Sequence, residues 1–402
     1  MYELYPYFTN DGSVGLYSPE ADDIYHSTYG ALTEAYEKFI LPANFEDFFK
    51  KHNEIKILDI CYGIGYNTKS FLNYFFENFE KKLSDLSINI DAIGTDNKFN
   101  KISITAIDSD KNLVYLSPFF RCDKKTLFNN KLNFYNEKIS KLLNKKTKTK
   151  TRYKLNKHIN MILLKKIIKT HPDIFEDQEF NKILKNKKYN RYFDKNICHL
   201  YEFYKKQGIK YTLLRRLNAF LHNIYYRNLS KSYKKAAKYL RLNEFDFEAK
   251  IGDARQIIKE DQNVYNFIFL DAFTPAKCPC LWTIDFFKLL HKNLDDNGMI
   301  LTYSNSAAIR NAFIQAGFWV GKIYNKENDK FTGTIATKKL ELIKFGLSEY
   351  DLGLIKTKAG IPYRDETLKL DNEAIISRHN KDVEQSNLIS SSKFIKTYRG
   401  CK

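Results

Sequence analysis

The stretch Ile55-Lys56-Ile57-Leu58-Asp59-Ile60-Cys61-Tyr62-Gly63-Ile64-Gly65-Tyr66-Asn67 decides the fold. Ile55 to Cys61 is an apolar run interrupted only by Lys56 and Asp59, as expected of a strand buried in a sheet. Gly63 and Gly65 follow at once, and a helical pattern then runs from Thr68 to Phe79. Strand, glycine turn and helix in that order open a doubly wound α/β sheet. Glycines at these positions let the backbone turn sharply and approach a ligand closely. The missing Gly-x-Gly-x-x-Gly spacing argues against a dinucleotide cofactor.

Outward from this turn, four further strands are expected. Lys101 to Ile107 ends in Asp108, Phe245 to Ile251 ends in Gly252-Asp253-Ala254, Tyr265 to Leu270 ends in Asp271, and Met299 to Ser304 is the fifth. Open α/β sheets bind ligands at the carboxyl ends of their strands, where these acids stand. Asp108 can hold two ribose hydroxyls. Asp253 can accept from an adenine amino group while Ala254 offers its backbone amide. Before the first strand, Asp22 to Phe49 reads as helical, with Tyr25, Tyr29, Leu32, Tyr36, Phe39 and Ile40 at three- and four-residue spacings.

Composition bounds the class. The chain has 402 residues, 43% of them hydrophobic, enough to fill a sizeable core. Its six cysteines are scattered, and Cys278-Pro279-Cys280 lacks a second pair at zinc-site spacing, so neither a metal site nor a disulfide framework is expected. No apolar run is long enough to span a membrane and the start lacks a secretion signal, so a cytoplasmic protein is expected.

The net charge of +19 is unevenly spread. Residues 124–243 hold 32 Lys and Arg against 7 Asp and Glu, a local balance of +25 that leaves the rest of the chain at −6. Abundant Lys alone suits a solvated surface. Scarcity of acids in this segment alone points to a polyanion-facing surface, because clustered cations release counterions from phosphates. Ile159, Ile162, Leu163, Lys166 and Ile167, then Leu213, Leu217, Phe220, Leu221 and Ile224, give the segment a helical pattern. The expected organisation is an N-terminal helical segment (1–54), the first half of an α/β domain (55–123), a basic helical insertion between strands two and three (124–243), the second half (244–340) and a C-terminal tail (341–402). Lys145 to Lys150 is read as a loop within the insertion.

Longer motifs carry a resemblance. Phe269-Leu270-Asp271-Ala272-Phe273-Thr274-Pro275-Ala276-Lys277, with Pro279, Leu281 and Trp282, closely resembles the signature of the MnmC tRNA wobble-uridine methyltransferase family. Leu301 to Arg310 and Ala316-Gly317-Phe318 resemble its next block, and Asp23 to Ser27, Gly30 to Asn44 and Tyr62 to Asn67 resemble its N-terminal helix and glycine loop. The resemblance implies a Rossmann-like α/β fold that uses S-adenosyl-L-methionine to N-methylate 5-aminomethyl-(2-thio)uridine at tRNA position 34. It implies cofactor contacts from Gly63, Gly65, Asn67, Glu34, Asp108, Asp253 and Ala254 and catalysis by Asp271; Tyr303, Lys277 and Arg310 are the candidate substrate contacts. The tRNA is the expected partner, with no metal and no membrane. Three departures stand out: Cys61 at the first glycine of the loop, Asn325 to Thr334 in place of a Gly-rich stretch, and the length of the insertion. No second glycine fingerprint follows Gly333, so no flavin oxidase domain is expected.

Methyl transfer to an amine chiefly requires alignment of nucleophile, methyl and sulfur. Asp271 can accept a hydrogen bond from the neutral amine and stabilise charge developing on nitrogen; its structural alternative is a turn cap. Tyr303 can line the pocket or simply pack. His26 reads as a hydrogen-bonded structural residue, and Trp282, Phe286 and Phe287 as core. Two other classes share features of this sequence: a polyamine aminopropyltransferase, disfavoured by Phe273-Thr274-Pro275 where a second acidic cluster would stand, and a non-catalytic RNA-binding protein.

Overall fold

The computed structural model describes residues 4–18, 23–85, 101–122, 153, 155, 157–207, 244–326 and 328–400. A seven-stranded sheet forms its centre, with strand order β6-β5-β4-β7-β8-β10-β9. Its members are β4 (Glu54–Ile60), β5 (Lys101–Asp108), β6 (Glu244–Ile251), β7 (Tyr265–Leu270), β8 (Leu294–Thr302), β9 (Trp319–Asn325) and β10 (Lys330–Thr337). The first five in spatial order are parallel; β10 runs antiparallel to β8 and to β9.

Alternation within each strand builds two cores. Ile55 and Ile57 of β4, Ile102 and Ile104 of β5 and Phe267 and Phe269 of β7 pack on one side. Leu58 and Ile60, Ile107, and Ile268 and Leu270 pack on the other. A strand with both faces buried has to be apolar at nearly every position, which is why these segments read as continuous runs. The helix Tyr66–Asp85 lies on the first side against Ala31–Ala35 and Lys157–Thr170, while Ala254–Glu260, Ile284–Asn293 and Ala307–Gln315 pack in series on the second. Trp282, Phe286 and Phe287 are fully buried core residues, as read. From β4 the chain moves to β5 and β6 on one side and returns to β7 on the other. Such a reversal opens a crevice at the carboxyl ends of β4 and β7.

The expected N-terminal helix from Asp22 is corrected. A three-stranded antiparallel sheet, β1 (Tyr5–Phe8), β2 (Val14–Ser18) and β3 (Asp23–Ile24), precedes a broken helix. That helix runs from Ala31 to Ala35, widens into a π-helical turn at Tyr36–Ile40, and resumes at Phe45–Lys51. The β1–β2 turn caps it: Asp11 accepts from the Thr33 amide at 2.8 Å and Ser13 Oγ from the Ala31 amide at 3.0 Å. Aromatic residues at helical spacing hid the strands because a two-residue strand such as β3 has no period of its own. The fifth strand begins at Leu294, ahead of the expected Met299, and the β9–β10 hairpin was not anticipated.

The described part of the insertion docks on the domain. Helix Lys157–Thr170 packs against β6, with Lys166 donating to the Phe245 carbonyl and His171 Nε2 to the Ala249 carbonyl, the latter at 2.8 Å. Three of its acids hydrogen-bond to the domain: Asp173 accepts from Tyr115 at 2.9 Å, Asp177 from Lys111 at 2.6 Å and Glu179 from Asn112 at 3.0 Å. The expected helical pattern from Leu213 to Ile224 and the Lys145–Lys150 run lie outside the described residues. The tail is helical at Glu349–Ile355, Asn372–Gln385 and Ser391–Gly400. No helix among the described residues is long and apolar enough to cross a membrane.

Candidate active site

The glycine loop leaves β4 through three residues in the left-handed region: Cys61 (φ 60°), Gly63 (φ 53°) and Gly65 (φ 77°). Cys61 therefore adopts the glycine-like conformation expected of the residue it replaces, at a cost of about 1–2 kcal/mol for an L-residue. Gly65 has no alternative, since a Cβ there would lie 2.4 Å from the Tyr62 ring, which is buried and held to Ser117 Oγ at 2.8 Å. Asp59 anchors the start of the following helix by accepting from Thr68 N and Oγ1 at 3.2 and 2.7 Å.

A cleft of about 840 Å³ opens at the strand ends. Of the expected site residues, Glu34, Asn67, Asp108, Asp253, Ala254, Asp271, Tyr303 and Lys277 line it. Gly63 borders it by donating its amide to Asp108 Oδ2 at 2.7 Å, and the Asp110 amide reaches Asp108 Oδ1 at 2.8 Å. Each carboxylate oxygen keeps a second lone pair, so Asp108 can still accept from vicinal hydroxyls. Burial pushes the Asp108 carboxyl up to about 6 despite those backbone donors. Asp253 caps the helix Ala254–Glu260 through the Arg255 amide at 2.8 Å and is clasped by the Arg255 guanidinium, Nε and Nη2 lying 3.1 and 2.8 Å from Oδ2.

Asp271 stands at the end of β7. Asn67 Nδ2 donates to its Oδ2 at 3.0 Å, so Asn67, expected as a cofactor contact, orients the catalytic candidate. Burial pushes Asp271 up to about 6; Asn67 and Lys38 oppose that rise and Glu34 adds to it. Glu34 accepts from Ser27 Oγ at 2.7 Å and Lys38 Nζ at 3.1 Å. Burial would raise its carboxyl, but the Lys38 charge and the Ser27 bond outweigh it and hold it below its ordinary value. Tyr303 donates to the Ala272 carbonyl at 2.9 Å and turns its ring to the cleft, and Tyr25 packs on Phe273 with centroids 4.8 Å apart. Lys277 is exposed at the rim. His26 lines the cleft with its pKa lowered to about 4, burial being the main cause, which suits the structural role read for it.

Gly65, expected as a cofactor contact, packs against the Tyr62 ring and does not line the cleft, and Arg310 is a second exception. It does not line the cleft but is buried, with Nη1 2.9 Å from Asp351, Nε 3.1 Å from Thr334 and Nη2 2.9 Å from Asn305. An arginine on the inner face of a helix beside an antiparallel hairpin finds its partners there. Lys38 and the tail residue Asn372, which line the cleft, and Arg255, which holds Asp253, were missed. Lys38 had a signal, four residues after Glu34 on a helical pattern; Asn372 had none, because only the fold brings it near.

The donor set fits a sulfonium nucleoside. Asp108 and Asp253 offer acceptors at adjacent strand ends, and Glu34, Asp108 and Asp271 present negative charge to a cation. The profile of a family described as S-adenosyl-L-methionine-dependent methyltransferase matches residues 216–339. An uncharacterized protein of Methanocaldococcus jannaschii is 34% identical over 152 residues, covering 37% of this chain and 42% of its own. The tRNA 5-methylaminomethyl-2-thiouridine biosynthesis bifunctional protein MnmC of Burkholderia vietnamiensis is 34% identical over 68 residues, 17% of this chain and 10% of its own. The chain thus aligns with less than half the length of these curated relatives. The crystal structure of MnmC2 from Aquifex aeolicus superposes with a TM-score of 0.57 at 19% identity, covering 96% of this chain and 87% of that one, a likeness of fold. Residues 216–339 thus match a domain of the S-adenosyl-L-methionine-dependent methyltransferase type. Over part of its length the chain is similar to the MnmC proteins. Among the described residues no group of three or more His, Cys, Asp or Glu is arranged to hold a metal ion.

If Asp108 holds the ribose hydroxyls, Asp108→Ala should weaken S-adenosyl-L-methionine binding by about 1.5–3 kcal/mol, the range for hydrogen bonds to a charged group. Calorimetry on the folded variant checks this, and unchanged affinity would remove Asp108 from the cofactor site.

Proposed function

We propose that this chain N-methylates the exocyclic amine of 5-aminomethyl-(2-thio)uridine at wobble position 34 of tRNA, giving the 5-methylaminomethyl form. The observation that carries this reading is the carboxylate of Asp271, fixed by Asn67 and set among the rings of Tyr25, Phe273 and Tyr303 at the cofactor cleft. The aromatic side chains offer apolar ring surface for a base, and the carboxylate offers an acceptor for the amine beside it.

When bound, S-adenosyl-L-methionine supplies a methyl group on a positively charged sulfur. The protein's part is positioning. Asn67 occupies Asp271 Oδ2, which leaves Oδ1 to accept an N–H of the substrate amine. That bond directs the nitrogen lone pair away from Asp271 and into the cleft, and the carboxylate stabilises the positive charge that grows on nitrogen. Lys38 holds Glu34, keeping a second carboxylate from competing for the amine.

Nucleoside mass spectrometry after incubation with S-adenosyl-L-methionine and tRNA bearing the aminomethyl group should show the methylaminomethyl nucleoside and S-adenosylhomocysteine. Methylthioadenosine formed instead from decarboxylated S-adenosylmethionine and a polyamine acceptor would make the chain an aminopropyltransferase. The basic insertion supports the RNA assignment, since Asp173, Asp177 and Glu179 are hydrogen-bonded to the domain while Lys182, Lys185 and Lys187 are exposed. Changing these three to Gln should raise the tRNA dissociation constant and lower the magnitude of its log-log salt slope by roughly 0.7–0.9 for each phosphate no longer neutralised. A salt titration with unchanged slope and affinity would leave this face merely solvated.

A further inference from the structure

The cleft wall carries three thiols, Cys61, Cys278 and Cys280, that methyl transfer does not use. Cys278 Sγ and Cys280 Sγ lie 3.6 Å apart, both half-buried and both facing the cleft that Asp253 and Ala254 also line. We propose that Cys278 and Cys280 form a reversible dithiol–disulfide site whose oxidation by a peroxide weakens binding of S-adenosyl-L-methionine.

The two sulfurs stand in different surroundings. The hydrogen bond from the Cys278 thiol holds the Cys280 thiol below its ordinary value; burial and Asp253 oppose this and Arg255 assists it. The same hydrogen bond, followed by burial, pushes Cys278 up. Cys280 is thus the thiolate-forming partner and Cys278 the proton-bearing one, the division of labour of an attacking and a resolving cysteine. Cys61, raised well above its ordinary value by burial and by the Asp108 and Asp271 charges, stays a thiol and is excluded from the attack.

In the first step the Cys280 thiolate attacks one oxygen of hydrogen peroxide. The O–O bond breaks, hydroxide leaves and takes a proton from solvent to become water, and Cys280 becomes a sulfenic acid. In the second, Cys278 attacks the Cys280 sulfur as its own proton is lost; the S–O bond breaks and the hydroxide departs with that proton as a second water. Two thiols are oxidised and one peroxide is reduced. Bond formation shortens the sulfur separation to about 2.05 Å. Pro279 fixes the intervening φ, so the movement falls on the flanking backbone, including the Cys280 amide that donates to Asn372 at the cleft edge at 3.3 Å. It also removes the Cys280 thiolate from beside Arg255, which clasps Asp253. A ring closed over one intervening residue is strained, and strained disulfides are the readily reduced, regulatory kind.

The test titrates the full chain with hydrogen peroxide and reads intact mass, the disulfide-bonded peptide and S-adenosyl-L-methionine affinity by calorimetry. The expected result is loss of two hydrogens, a Cys278–Cys280 linkage, and at least tenfold weaker binding that dithiothreitol restores. Linkage then requires bound cofactor to make the pair tenfold harder to oxidise, raising its midpoint potential by about 30 mV. Cys278→Ser should stop at a sulfenic acid on Cys280 that dimedone traps, and Cys280→Ser should give an affinity indifferent to peroxide. A linkage through Cys61, no linkage at all, or a Cys278–Cys280 disulfide with undiminished affinity would each overturn the proposal. These readouts need no RNA, so they stand or fall apart from the tRNA substrate.

Discussion

Asp271→Ala should lower the rate of methyl transfer by about 10²–10³-fold, the loss typical of removing one group preorganised at the reacting centre. Affinity for S-adenosyl-L-methionine should change little, because the proposed partner of Asp271 is the substrate amine. Asp271→Asn keeps the shape and loses the charge, so a milder loss for Asn than for Ala would assign the role to orientation. The pH profile separates the variants further. Burial has pushed the Asp271 carboxyl up to about 6, so its ionised fraction grows as pH rises through that value. Single-turnover rates of the parent should rise with it, and the Asn variant should lack this limb. A second limb at higher pH belongs to the amine, which reacts as the free base. Turnover of Asp271→Ala close to that of the parent would sink the assignment.

Arg255→Ala should destabilise the chain by about 3–5 kcal/mol, because it strands a buried charge. The guanidinium lies 2.7 Å from Asp365, whose side chain is wholly inaccessible, and donates to the Leu370 carbonyl at 2.7 Å. The same group holds Asp253, so cofactor affinity should fall as well. Replacing the pair together, as Arg255→Met with Asp365→Leu, removes both charges and should restore much of the stability while cofactor binding stays weak. Denaturant midpoints with calorimetry measure the two effects. A loss under about 1 kcal/mol for the single variant would place the pair with solvent-screened surface bridges.

The strands that carry the site were legible because burial on both faces forces apolar runs, and each run stops where a polar strand end meets the cleft. Ile55 to Cys61 and Tyr265 to Leu270 were therefore found within a residue of their ends. The acids Asp108, Asp253 and Asp271 followed from the same logic. Pairings that depend on distant chain did not: Arg255 with Asp365, Asn372 at the cleft edge, and the β1–β3 sheet capping the helix that bears Glu34. Arg310 was misplaced because a motif fixes a residue's position along the chain and leaves open which face of its helix it occupies. The left-handed conformation of Cys61 was legible only as a departure; its backbone angle shows that the loop keeps its shape at the expense of local strain.

The placement of the basic insertion has a consequence for biogenesis. It separates β5 from β6, which are neighbours paired over eight residues, by about 135 residues of chain. At synthesis rates of about 5–20 residues per second, on the order of ten seconds pass between the emergence of the two strands. During that interval β5 has no β6 along its outer edge and β4 has no β7 on its other side, so the nascent chain presents two unpaired strand edges. Helix Lys157–Thr170, which packs against β6 and against Tyr66–Asp85, emerges in between and can shelter the apolar face of β5. Charge repulsion among the cations of the segment would oppose association of such half-made chains, a consequence that comes before there is any cofactor site to serve.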